Sequence, residues 1–159
     1  MALTPGTPAP DFSATNTAGK TISLVDFAGQ WLVLYFYPKD NTPGCTKEAM
    51  GFTEKLAEFT ALNAKIVGVS LDSAKSHQKF IAKYDLKIEL LCDQDHEIAE
   101  AYSAWGLKKF MGKEYMGIIR STFLIAPDGN IAQVWSKVRV KDHVEKVLTT
   151  LKNLSDSET

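Results

Sequence analysis

Seven consecutive residues, WLVLYFY at positions 31–37, are apolar or aromatic without a break. A strand with one face in water alternates polar and apolar side chains, so an unbroken run marks a strand covered on both faces. This stretch obliges the chain to build layers above and below a sheet. From Thr42 the period changes. Ala49, Phe52, Leu56 and Phe59 recur at three- and four-residue steps, opposite Lys47, Glu54, Lys55 and Glu58. That pattern predicts an amphipathic helix of about five turns.

The remaining segments follow the same logic. Residues 11–24 read as two short strands around Ala18-Gly19-Lys20, and 25–30 as a turn or one helical turn. KIVGVSL (65–71) and IELLC (88–92) are apolar strands, and 73–86 and 95–105 are helices. Residues 120–126 and 131–138 form a hairpin around Pro127-Asp128-Gly129-Asn130, and 139–153 a last helix. Residues 106–119 hold three glycines and show no period, so they read as a surface loop that delivers Arg120 to the next strand. Alternating strands and helices, then a hairpin and a helix, predict an α/β sandwich with a mixed central sheet and helices on both faces. The order resembles a thioredoxin-like fold with an N-terminal β-hairpin extension.

Length and composition narrow the function classes. A chain of 159 residues, 45% hydrophobic and 23% charged, fits one domain and buries about 70% of its unfolded surface without staples. Residues 1–159 are read as that single domain, with 1–10 an extended, proline-bearing lead-in and 154–159 a frayed tail. The net charge is −1 and the lysines are scattered, which gives nucleic acid no basic stripe to bind. The apolar run at 31–37 is too short for a bilayer. The first residues lack a basic segment followed by an apolar one, so the expected address is the cytoplasm. Two cysteines, Cys45 and Cys92, are too few for a cysteine-rich zinc site. His77, His96 and His143 show no ligand spacing, so neither metal nor cofactor is expected. His96 reads as part of a solvated helix start and His143 as a surface or boundary residue.

Thr42-Pro43-Gly44-Cys45 has the grammar of a helix start. Thr42 suits the cap, Pro43 the first helical position, and Cys45 the third. A thiol there meets unpaired backbone N–H groups and the positive end of the helix dipole, and both favour the reactive thiolate. Gly44 would let a small substrate approach those amides. Spacing alone leaves two readings open: a nucleophile, or a small buried residue in an ordinary helix start. There is no Cys-x-x-Cys pair for a dithiol carrier, and no Gly-Lys-Ser/Thr ending for a phosphate loop.

FYPKDNTPGCTKEA also resembles the peroxidatic motif of the peroxiredoxins, Pro-x-x-x-Thr/Ser-x-x-Cys, here Pro38, Thr42 and Cys45. The branch it resembles is the bacterioferritin-comigratory-protein, or peroxiredoxin Q, group. The likeness continues through APDF, LLCDQDH, FMGKEY-GI-RSTFLI and the final helix. It implies that Cys45 attacks hydrogen peroxide or a small organic hydroperoxide and becomes a sulfenic acid. It implies further that Thr42 hydrogen-bonds peroxide and thiolate, that Arg120 stabilises the thiolate and the leaving oxygen, and that Pro38 shields the sulfur. The backbone amides of Gly44 and Cys45 would be further donors, and Glu48 would help orient the arginine.

Many members of this branch carry a second, resolving cysteine where this chain has Met50. Met50 cannot form that disulfide. Cys92, at the end of an apolar run, reads as a buried strand-end residue, which favours a one-cysteine mechanism. An external dithiol would then reduce the sulfenic acid. The resemblance implies thioredoxin, with glutathione or glutaredoxin as alternatives, and a monomer or weak homodimer. Two other possibilities stand beside this: Cys92 as the resolving thiol, or a non-catalytic redox sensor or chaperone.

Overall fold

The computed structural model describes residues 3–157. In chain order the strands are β1 (Ser13–Asn16), β2 (Thr21–Ser23), β3 (Trp31–Phe36), β4 (Ala64–Ser70), β5 (Glu89–Cys92), β6 (Trp105–Phe110), β7 (Lys113–Ile118), β8 (Ser121–Ile125) and β9 (Ile131–Ser136). The helices are α1 (Pro43–Glu54), α2 (Leu56–Ala61), α3 (Ala74–Tyr84), α4 (Glu97–Ala101) and α5 (His143–Ser157), with a 3-10 turn at Leu24–Phe27.

Strand β3 is buried at every position, as its unbroken apolar run requires. It lies inside a seven-stranded sheet of order β2-β1-β5-β4-β3-β8-β9. Its pairing with β4 is parallel and with β8 antiparallel, so the sheet is mixed. The parallel pair needs a crossover, and α1 and α2 supply it. Successive β3 side chains point to opposite faces. Trp31, Val33, Tyr35 and Tyr37 join Cys45, Phe52, Phe59, Phe80 and Leu148 in one core. Leu32, Leu34 and Phe36 join Phe12, Ile98, Tyr102 and Phe123 in the other. One core is therefore roofed by α1, α2, α3 and α5, and the other by α4 and the N-terminal segment. In β4, Gly68 leaves room for Tyr35: a Cβ there would lie 2.8 Å from the Tyr35 ring.

Several local expectations are corrected. Residues 106–119 are not a loop, because β6 and β7 pair from Trp105↔Ile118 to Phe110↔Lys113. Met111 and Gly112 turn the hairpin with φ of 52° and 79°, the doubly left-handed geometry that matches strand twist. Most of the hairpin is exposed and its burial does not alternate along either strand, so it leaves no apolar alternation to read. The five-turn helix is broken at Lys55 (φ −95°, ψ 5°) into α1 and α2. The helix expected over 95–105 is only α4, because left-handed residues His96 and Ser103 bracket it. The lead-in is not a loose extension. Gly6 and Ala9 donate to the Ile131 and Gly129 carbonyls, and Ala9 is buried. The tail drawn from residue 154 is helical through Ser157, and residues 158 and 159 lie outside the described residues.

His143 is not a surface residue. It is buried at the start of α5, with its Nε2 2.8 Å from the Thr122 hydroxyl. Burial, with the charges of Arg120 and Lys146, pushes its pKa down to about 4, so it is neutral at pH 7. Among the described residues no helix is long and apolar enough to cross a membrane.

Candidate active site at the start of α1

The chain leaves β3 at Tyr37, passes half-buried Pro38, and enters α1 at Pro43. The first helical hydrogen bond runs from the Thr46 N–H to the Thr42 carbonyl, 2.8 Å. The Gly44 and Cys45 amides precede it, as the first N–H groups of any helix must. Thr42 occupies the cap position with extended backbone, but its side chain does not cap the helix. Its hydroxyl donates instead to the Lys39 carbonyl at 2.9 Å. That bond uses the hydroxyl proton and leaves the oxygen as an acceptor.

Cys45 is 1% exposed, in the first turn of α1. Glu48, one turn further on the same helix face, is fully buried. Arg120 reaches both from the residue before β8. Its Nη1 donates to Glu48 Oε1 at 2.6 Å and its Nη2 to Cys45 Sγ at 3.1 Å. The planar guanidinium thus bridges the carboxylate and the sulfur with two donors in a fixed fork. Gly44 also makes room for a side chain from elsewhere. A Cβ there would lie 3.3 Å from Arg120 Nη2, so the missing side chain makes room for the arginine.

The electrostatics follow from burial. Desolvation raises the Glu48 pKa to about 7, although Arg120 pulls it down. Its second oxygen, Oε2, has no hydrogen-bond partner among the described residues. Tyr35 forms the floor beneath, and burial, then the Glu48 and Cys45 charges, push its phenol well above its ordinary range. Burial works against the Arg120 charge, but Glu48 and Cys45 outweigh it and keep the guanidinium protonated.

A polar network beneath the loop escaped the sequence reading. Asp40 accepts from the Tyr37 hydroxyl (2.6 Å) and the Ser76 hydroxyl (2.9 Å), and pairs with His77 Nδ1 (2.7 Å). The other nitrogen of His77 faces the Leu91 carbonyl at 2.9 Å, and the Asp40 amide donates to Asp72 at 2.8 Å. Asp40, Asp72 and His77 bring ligand-type atoms within 4.8 Å of one another. Each is already engaged in these bonds, which tie the Cys45 loop to α3 and β5. The partners lie 37 positions apart, so no local pattern could reveal them.

Cys92 stands apart. It ends β5, two strands from β3, and both cysteines are unpaired. Burial raises its pKa, a Thr15 hydrogen bond opposes that, and Asp40 and Asp72 add to it.

A buried thiol, a guanidinium and a carboxyl thus meet at the start of α1, at the positions the sequence resemblance singled out. The AhpC/TSA family model matches residues 5–134. The chain is a peroxiredoxin of that family. Peroxiredoxin Bcp of Bacillus subtilis (strain 168) is 50% identical over 156 residues, 98% of this chain and 99% of that one. Peroxiredoxin Bcp of Escherichia coli (strain K12) is 40% identical over 150 residues, 94% and 96% of the two chains. A solved structure of Xanthomonas campestris bacterioferritin comigratory protein, from work on its alkyl peroxide reduction, superimposes with TM-score 0.89 at 41% identity, covering 96% of this chain and 99% of that one. A Xylella fastidiosa PrxQ mutant superimposes with TM-score 0.92 at 37% identity, covering 98% and 99%. The thioredoxin-like fold is therefore that of this peroxiredoxin. It is a thiol peroxidase, acting on peroxides at the expense of a thiol reductant.

Proposed function

We propose that Cys45 is the peroxidatic nucleophile and that it works by a one-cysteine mechanism. The observation that supports this most directly is the Arg120 bridge, with Nη2 3.1 Å from Cys45 Sγ. The sulfur attacks the terminal peroxide oxygen. An S–O bond forms as the O–O bond breaks, and the leaving alkoxide or hydroxide takes a proton and departs as alcohol or water. Cys45 is oxidised to the sulfenic acid and the peroxide is reduced. Lowering a thiol's pKa weakens it as a nucleophile, so a thiolate alone does not give speed. Polarisation of the O–O bond comes from Arg120 and the Gly44 and Cys45 amides, donors held where negative charge develops. The Thr42 hydroxyl accepts from the peroxide O–H, Glu48 holds the guanidinium, and Pro38 covers the sulfur.

The sulfenic acid is reset from outside. One thiol of a dithiol reductant attacks Sγ and expels water, and its second thiol then releases Cys45 from the mixed disulfide. Thioredoxin or glutaredoxin fits this chemistry; with glutathione, a second molecule would supply the releasing thiol. Cys92 suits the resolver's part poorly. Cys45 opens α1 directly after β3, whereas Cys92 ends β5, two strands across the sheet. Its raised pKa also disfavours the attacking thiolate. The same reading takes the chain as one working domain, monomeric or weakly dimeric, in the cytoplasm, reducing hydrogen peroxide and small organic hydroperoxides. Steady-state peroxide consumption with thioredoxin, thioredoxin reductase and NADPH tests it. Cys45→Ser should abolish turnover, and retained turnover would exclude Cys45 as the nucleophile. Stoichiometric Cys45 oxidation without turnover would favour a redox sensor.

A further inference from the structure

The β6–β7 hairpin projects from the sheet with Leu107, Phe110, Met111, Tyr115 and Met116 exposed. One of its charged residues, Lys108, does not point into water as a hairpin lysine ordinarily does. Lys108 and Tyr115 are cross-strand partners and share a face. Both lie against the backbone of Gly117: a Cβ there would sit 3.2 Å from Lys108 Cδ and 3.3 Å from the Tyr115 ring. The absence of a side chain leaves the lysine stem room to cross β7 at this point. Having crossed, the ammonium donates to the Ile118 carbonyl at 2.9 Å. It is then half-buried, two residues before Arg120, within electrostatic reach of both Arg120 and Cys45.

The opposite glycine makes a matching contact. Gly106 is the register partner of Gly117, and a Cβ on it would lie 2.7 Å from Ile119 Cδ1. The Ile119 N–H donates to the Ala104 carbonyl at 2.7 Å. The segment entering Arg120 is therefore clamped twice: by Lys108 over Gly117, and by Ile119 into the space above Gly106. The hairpin's two inner glycines serve these two contacts rather than a turn.

We propose that Lys108 is a positioning residue for peroxide reduction, pinning the strand end that presents Arg120 and adding a second positive charge within electrostatic reach of the Cys45 sulfur. Burial and the Arg120 charge push the Lys108 pKa down, and Cys45 opposes that shift. The titratable groups facing the sulfur are Arg120 from the β8 side, Glu48 from α1, the neutral phenol of Tyr35 from β3 and Lys108 from β6. Lys108 is the only one of these that needs the hairpin. The inference rests on Cys45 being the nucleophile, so its test must fail separately from that reading.

The experiment uses the full chain with Cys92→Ser, so that Cys45 is the sole thiol. Two quantities are read: the rate constant for Cys45 oxidation by hydrogen peroxide, and the pH midpoint of Cys45 alkylation by iodoacetamide. Lys108→Met should slow oxidation about threefold to tenfold, the scale of one partly screened charge, and move the alkylation midpoint to higher pH. Lys108→Arg should restore both. Gly117→Ala displaces the lysine stem while keeping its charge, and should shift both readings in the same direction by less. Unchanged rate and midpoint in Lys108→Met would overturn the proposal. So would a slower rate with an unmoved midpoint, or a loss that Lys108→Arg fails to rescue, since either would make Lys108 a mere hairpin prop. If the parent protein's Cys45 is not oxidised at all, the nucleophile assignment fails instead.

Discussion

Glu48→Gln removes a charge that the fold holds at a cost. The Glu48 carboxyl is fully buried, one oxygen bonded to Arg120 and the other unpartnered. Its pKa rises from 4.5 to about 7, chiefly through desolvation. Below pH 4.5 the carboxyl is protonated in both folded and unfolded chains and contributes nothing to the pH dependence. As pH rises toward 7 the unfolded chain ionises first, so folded stability falls by up to about 3 kcal/mol across that window. Glutamine keeps the acceptor for Arg120 and cannot ionise. The difference in unfolding free energy, Glu48→Gln minus native, should therefore grow with pH between 4.5 and 7 and level off above. His143 tilts the native curve the other way. Its pKa is depressed to about 4 from 6.5, so its contribution rises with pH between those values. The two slopes oppose each other in the native protein, and the variant should reveal the rising one. Urea unfolding followed by tryptophan fluorescence, with both thiols reduced, measures this from pH 4.5 to 8. A difference that stays flat across the window would refute the account of Glu48 as a carboxylate held against its desolvation.

Three further outcomes test neighbouring parts of the account. Gly44→Ala places a Cβ 3.3 Å from Arg120 Nη2 and should slow Cys45 oxidation about tenfold while leaving the unfolding midpoint nearly unchanged, since sub-ångström displacement of a donor is felt mainly in rate. His77→Phe removes the hydrogen bond between His77 and buried Asp40 and should cost about 1–3 kcal/mol in denaturant unfolding. Cys92→Ser should leave thioredoxin-coupled turnover nearly intact, and a large loss in that assay would return Cys92 to the resolver's place.

The parts of this molecule that were legible in the sequence are those whose signal is local. WLVLYFY is a doubly covered strand because burial on both faces leaves no polar position, and Thr-Pro-Gly starts α1 because each residue suits its own place there. The β6–β7 hairpin was not legible. It buries little, and its glycines serve side chains that arrive from elsewhere, Ile119 against Gly106 and Lys108 across Gly117. Lys55, where α1 breaks from α2, is an ordinary helix former, so nothing local announces the kink. The site divides in the same way. Cys45 and Glu48 share a helix face and could be paired by spacing, but Arg120 comes from 72 positions beyond Glu48. Only the family resemblance linked them, and the Asp40–His77 pair, with no motif to carry it, went unseen.

The central claim is that Cys45 alone carries the oxidising equivalent. Its most direct test is mass spectrometry of the reduced protein after one equivalent of hydrogen peroxide, with a sulfenic-acid trap present. The account predicts the trapped adduct on Cys45, an unmodified Cys92, and no disulfide between them. A Cys45–Cys92 disulfide, or peroxide consumed with Cys45 unmodified, would contradict it.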